Sequence, residues 1–162
     1  MKHRLIYLFF LLLAVSMNIT SCNFAPGSYP YAEEYDIDSS EKTLITAVEN
    51  FKKHHPEYCV PNTITIQGNL TTLNNGRRNA NDYWYHIYFY YSDTNQIVKS
   101  WLRPIDSMST TFAFIGINQG LEIGNWKEIN HDLTGKDNSS EKQKFERLIL
   151  DGIKKELSKL KK

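Results

Sequence analysis

Tyr83-Trp84-Tyr85-His86-Ile87-Tyr88-Phe89-Tyr90-Tyr91 is the stretch that decides the fold. Aromatic and β-branched side chains suit a pleated, half-buried strand, and neither Gly nor Pro interrupts the run. Ser92-Asp93-Thr94-Asn95 forms a turn after it, residues 96–103 pair back as a hairpin, and Pro104 ends that arm. Residues 110–117, with Phe112, Phe114 and Ile115, form the next strand. Gly116, Gly120 and Gly124 punctuate the next stretch, leaving room for a short strand around Trp126. Upstream, residues 63–67 alternate and are β-branched, and Asn74-Asn75-Gly76 is a turn signal.

Helices flank this block. Asp38-Ser39-Ser40-Glu41 is a capping-box pattern, and Leu44, Ile45, Val48 and Phe51 then recur at helical spacing until Pro56. Asn138-Ser139-Ser140-Glu141 repeats the same start chemistry. Phe145, Leu148, Ile149, Ile153, Leu157 and Leu160 make the stripe of a longer second helix. The order helix, about four strands, helix predicts an α+β fold. Its expected form is two layers: an antiparallel meander of about four strands covered by an N-terminal helix and a longer C-terminal helix.

The N-terminus has its own pattern. Lys2, His3 and Arg4 precede an uncharged apolar run from Leu5 to Val15, then small and polar residues, then Cys22. A charged start, a short apolar core and a small-residue cleavage site lay out a secretory signal. The run is too short for a membrane span, which takes about 20 apolar residues. Ile19-Thr20-Ser21-Cys22 resembles the lipobox of bacterial lipoproteins. That resemblance implies cleavage before Cys22, acylation of its sulfur, and a mature chain held in the envelope by fatty chains. Asn23, in the position that sorts such proteins, implies the outer membrane, facing the periplasm. The expected organisation is a signal peptide over 1–21, a lipidated tether over 22–37 and one α+β domain over 38–162. The tether reading rests on Pro26, Gly27, Ser28 and Pro30, and its tyrosines lead part of it to dock on the domain.

Removing Lys2 and Arg4 from the 19 basic residues leaves 17 against 18 acidic ones. A nearly neutral domain carries no electrostatic argument for nucleic acid. With the sulfur of Cys22 taken by lipid, Cys59 has no intramolecular partner and is expected to be a buried thiol.

No nucleophile elbow, zinc-protease helix, phosphate loop or calcium loop occurs. His54-His55-Pro56-Glu57-Tyr58-Cys59 is dense in ligand types, but adjacent histidines point apart, so no metal site and no cofactor are expected. On the strongest strand Tyr83, Tyr85, Ile87, Phe89 and Tyr91 form the better core face. Trp84, His86, Tyr88 and Tyr90 take the other and, with Trp101, are the candidate binding surface. The expected function is a non-enzymatic binding or accessory domain for a protein partner in the envelope; protection against a rival's toxin is one form. The alternatives are a small-ligand or glycan binder using the same rings, and an envelope hydrolase using His86 or His131 with a carboxylate.

Overall fold

The computed structural model describes residues 29–161. The chain divides into Met1–Pro30 and Tyr31–Lys162, and the folded domain is the second unit. The apolar run, Cys22 and the start of the tether lie outside the described residues.

The domain is α+β. An antiparallel sheet contains the meander β4 (Tyr85–Tyr91), β5 (Gln96–Pro104) and β6 (Thr110–Gln119). Two short strands share the outer edge of β6. β1 (Glu33–Ile37) pairs with its first half, and β8 (Trp126–Glu128) with its second. A small second sheet joins β2 (Thr65–Ile66), β3 (Asn69–Leu70) and β7 (Glu122–Ile123). Helix α1 (Glu41–His54) precedes it. Helix α2 (Gly135–Phe145), a π segment (Glu146–Leu150) and helix α3 (Asp151–Leu160) end the chain.

β1 corrects the expected tether boundary. Its register runs from Glu33 opposite Phe114 to Ile37 opposite Thr110. Tyr35 and Ile37 turn inward while Glu34 and Asp36 are exposed. The period of two was present, but three acids in five residues masked it. The unpaired backbone of β6 is what recruits the segment, since strand edges demand partners.

α1 is capped by Ser40, inside the expected stretch: its Oγ accepts from Thr43 N–H at 3.3 Å, but Glu41 is the first helical residue and pairs with Arg77, so the capping box expected over 38–41 does not form. α2 is not capped where expected. It begins three residues before the expected Asn138, with Thr134 at its N-cap. Asn138 serves tertiary structure instead, accepting from Asn130 N–H at 2.9 Å and donating to Asn130 Oδ1 at 2.7 Å. Cys59 is also not buried. It is exposed after the 3-10 turn Pro56–Tyr58, its thiol donating to Lys52 O at the end of α1.

One core unites helix and sheet. Leu44, Ala47, Val48 and Phe51 of α1 join Ile87, Phe89 and Tyr91 of β4, Val98 and Leu102 of β5, and Phe145, Ile149, Ile153 and Leu157 of the C-terminal helices. Phe145 stacks on Phe114 at 4.6 Å and meets Phe112 edge-on at 5.5 Å. Phe112, Phe114 and Ile117 all belong to this core although their numbers differ in parity. A bulge allows it: pairing jumps from Lys99↔Gly116 to Ser100↔Phe114, leaving Ile115 as the extra residue. Beyond the bulge, buried Asn118 organises the 120–125 loop. Its amide donates to Gly120 O and Glu122 O and accepts from the Gly124 and Asn125 N–H groups.

β4 lies at the sheet edge, and side chains occupy that edge where another strand would pair. Gly76 bridges His86 through the backbone. Asn75 Oδ1 accepts from Tyr88 N–H at 3.1 Å, while Lys52 Nζ donates to Tyr88 O and to Asn75 Oδ1. This blocks strand addition. Burial pushes the Lys52 ammonium down to about 8. An unfolded lysine titrates near 10.4, so between those values the unfolded chain binds more protons and stability rises with pH. Burial pushes the Tyr35 and Tyr91 phenols up, which reverses the trend once unfolded tyrosine ionises near pH 10. Urea midpoints should therefore climb from pH 8 to pH 10, by roughly 2 kcal/mol at most. Lys52→Met should flatten that climb; an equal climb in the variant would show that another group causes it.

Candidate functional site on the sheet

β4 and β5 place alternate side chains on the face away from the main core. His86 sits opposite Trp101, Tyr88 opposite Lys99, and Tyr90 opposite Ile97. β8 adds Trp126, which pairs through the backbone with Asn118. The rings form a chain. Tyr83 meets Trp84 edge-on at 5.7 Å, Trp84 lies 6.5 Å from Trp101, and Tyr88 lies 6.5 Å from Trp126. Cations fill the gaps. Arg103 lies over Tyr83 at 5.8 Å and Trp101 at 5.6 Å, and Lys99 lies over Trp126 at 5.6 Å. Such pairs contribute about 0.5–2 kcal/mol each, more as they lose water.

The expected surface residues divide. His86 and Trp101 are 2% and 1% exposed, so they form the floor of this face and not a platform. Trp84, Tyr88 and Tyr90 are half-buried. Tyr83, assigned to the core face by parity, is 57% exposed, because it precedes the first paired residue of β4 and is not held by the ladder. Sequence reasoning did not group Lys99, Arg103 and Trp126 with this face. The alternation of Lys99 and Arg103 with Trp101 was legible; the pairing of β8 with β6, which brings in Trp126, was not.

His86 Nε2–H donates to Asp82 Oδ2 at 3.1 Å, across four residues that a straight strand would hold apart. The 76–82 loop folds back beside the strand, through the Gly76–His86 bridge, and brings the carboxylate in. Arg78 Nε also donates to Asp82 Oδ2, at 2.8 Å, and Trp84 N–H to Oδ1. Those hydrogen bonds, the Arg78 one foremost, pull Asp82 far below the ordinary carboxylate range. Burial first, then the Arg78 charge, lowers His86 against the pull of Asp82. The arrangement is a neutral imidazole held by a firmly ionised carboxylate. Burial and Arg78 likewise lower Lys99.

His131 is exposed, stacked on Tyr31 at 4.3 Å, and donates to Asp132 Oδ1 at 2.9 Å. His54 and His55 point to separate carboxylates, Glu156 and Glu57. Among the described residues no three His, Cys, Asp or Glu converge as a metal site. No helix among them is long and apolar enough to cross a membrane.

Comparison with family models, with curated proteins and with solved structures finds no match to this chain.

Proposed function

We propose that the chain is a lipid-anchored envelope lipoprotein whose domain is a non-enzymatic binding module for a protein partner. The anchor reading rests on the lipobox-like residues 19–22, with Cys22 carrying the acyl chains and the domain facing the periplasm from the outer membrane. In this reading the two helices form one layer over the core face of the meander, and the partner meets the opposite face. Protection against a toxin is one form the pairing can take.

A single observation carries the reading: Lys99, Arg103 and Trp126 lie on one sheet face, and Tyr83 and Trp84, in the bend before β4, pack at its Trp101–Arg103 end, with Tyr83 exposed and the others half-buried. Aromatic rings and arginine are the side chains that dominate protein-interface energetics, and a sheet holds them at low ordering cost. The same composition argues against an electrostatic nucleic-acid surface, since cations here are covered by rings and none stands in a continuous stripe.

The hydrolase reading keeps one observation in its favour, the His86–Asp82 contact. That carboxylate is held by Arg78, and neither His86 nor His131 lines any of the three grooves found along the C-terminal helices.

Detergent extraction followed by pull-down tests both parts of the proposal. Wild-type chain should partition into the detergent phase and retain its partner. Cys22→Ser should move to the aqueous phase. Tyr83→Ala combined with Arg103→Ala should remain in detergent but lose the partner at least tenfold. Full partner retention by that double variant would remove the sheet face from the proposal.

A further inference from the structure

A groove of about 670 Å³ runs between the C-terminal end of α1 with its 3-10 turn and the outer side of α3. Its floor is aromatic: Phe51 stacks on Tyr58 at 5.5 Å. Gly152 lets the helix pack directly on that floor. A Cβ there would lie 2.3 Å from Phe51 Cε2, so the helix passes close to the ring only because the side chain is absent.

The charges in this groove do not cancel. Glu156 is taken by His54 at 3.3 Å and Lys159 at 2.6 Å, and Glu57 by His55 at 3.2 Å. Arg147 and Lys155 also line it and are both exposed. Among the described residues neither side chain has a hydrogen bond or ion pair; the Lys155 carbonyl accepts from Ser158 Oγ at 2.8 Å. Arg147 sits in the π segment Glu146–Leu150, where the helix widens by one residue. It also lines an adjoining groove with Asp93, Lys144 and Asp151, yet it bonds neither acid.

We infer that this groove takes an extended acidic segment of a protein partner, with Arg147 and Lys155 receiving two carboxylates and Phe51 and Tyr58 beneath the intervening residues. Spacing selects this occupant. The two cations are eight positions apart, which puts their Cα atoms roughly 12 Å apart at 1.5 Å per residue. Both side chains reach one small anion only by folding toward each other, whereas two carboxylates meet each one extended. Acids four residues apart on an extended chain are about 13 Å apart and point to the same side. Arginine receives a carboxylate through two parallel N–H bonds, and lysine receives one as a point charge. This groove belongs to the helices and not to the sheet face, so its failure leaves the reading of that face standing.

The test uses the full chain in detergent and a fluorescein-labelled decapeptide with two glutamates four residues apart. Fluorescence anisotropy at low salt should show binding. Arg147→Ala and Lys155→Ala should each weaken it about fivefold, and the double variant at least twentyfold, with thermal midpoints unchanged. A peptide with the glutamates adjacent should bind about tenfold more weakly, and inorganic phosphate should not compete below tens of millimolar. No binding by the spaced peptide, survival of binding in the double variant, or equal affinity for the two spacings would each overturn the inference.

Discussion

Gly116→Ala should lower the free energy of unfolding by about 3 kcal/mol and detach β8 from the sheet. The cause is local. A Cβ at 116 would sit 2.3 Å from Lys127 O, 3.0 Å from Lys127 C and 3.1 Å from Glu128 Cα. All three are backbone atoms of β8, so no side chain can rotate aside and the strand itself must move. Its pairings Gly116↔Glu128, Ile117↔Lys127 and Asn118↔Trp126 are the only ladder that holds it among the described residues. Trp126 would leave Tyr88 and Lys99, so under the proposed function the variant should also bind a partner less well. Urea unfolding gives the stability change, and loss of amide protection at residues 126–128 identifies the strand. A loss under about 1 kcal/mol with protection intact would mean that β8 accommodates the methyl group.

Asp82→Ala should cost about 2–4 kcal/mol. The carboxylate is the shared acceptor for Arg78, His86 and the Trp84 N–H, and its side chain is 3% exposed. Removing it releases the 77–83 loop from β4. The pH dependence separates this clamp from ordinary packing. Asp82 has a folded pKa depressed below its unfolded value, so its stabilisation is present above about pH 4 and is lost as pH falls below that. His86 is depressed too, so the folded state resists its protonation and stability begins to fall below about pH 6.5. Wild type should therefore lose stability in two stages on acidification. Asp82→Ala should shrink the lower stage, to which Glu33 and Glu156 also contribute through their lysine contacts, and keep the upper one. An undiminished lower stage in the variant would assign it wholly to those other carboxylates.

The route from sequence to fold was uneven for identifiable reasons. The Tyr83–Tyr91 run and the hairpin after it are local patterns, and each produced the element expected; the α1 cap fell inside its expected stretch but on Ser40, without the box. β1 and the start of α2 were missed because their partners lie far away in sequence. Glu33–Ile37 is a strand by virtue of the β6 edge, and Asn138 is drawn off capping by Asn130. Cys59 was expected to be buried on the habits of its type; the 3-10 turn leaves it outside.

The candidate face was legible in part. Alternation put Trp84, His86, Tyr88 and Tyr90 together, and pairing across the hairpin added Trp101. Alternation cannot say how deep each ring lies. The bulge at Ile115 and the return of β8 set that, placing Trp101 and His86 at the floor and Lys99 and Trp126 among the rings.

By itself the sequence determined the kind of elements, the α+β class and the set of side chains available to a binding face. Those stem from φ/ψ preference and side-chain period, which are properties of neighbouring residues. The tertiary structure alone decided that Asp82 reaches His86, that β1 and β8 divide one edge of β6, and that Arg147 and Lys155 flank an aromatic groove. Each of these joins residues through space, and the free energy that selects them comes from burial and from satisfying backbone edges, neither of which exists until the chain has closed on itself.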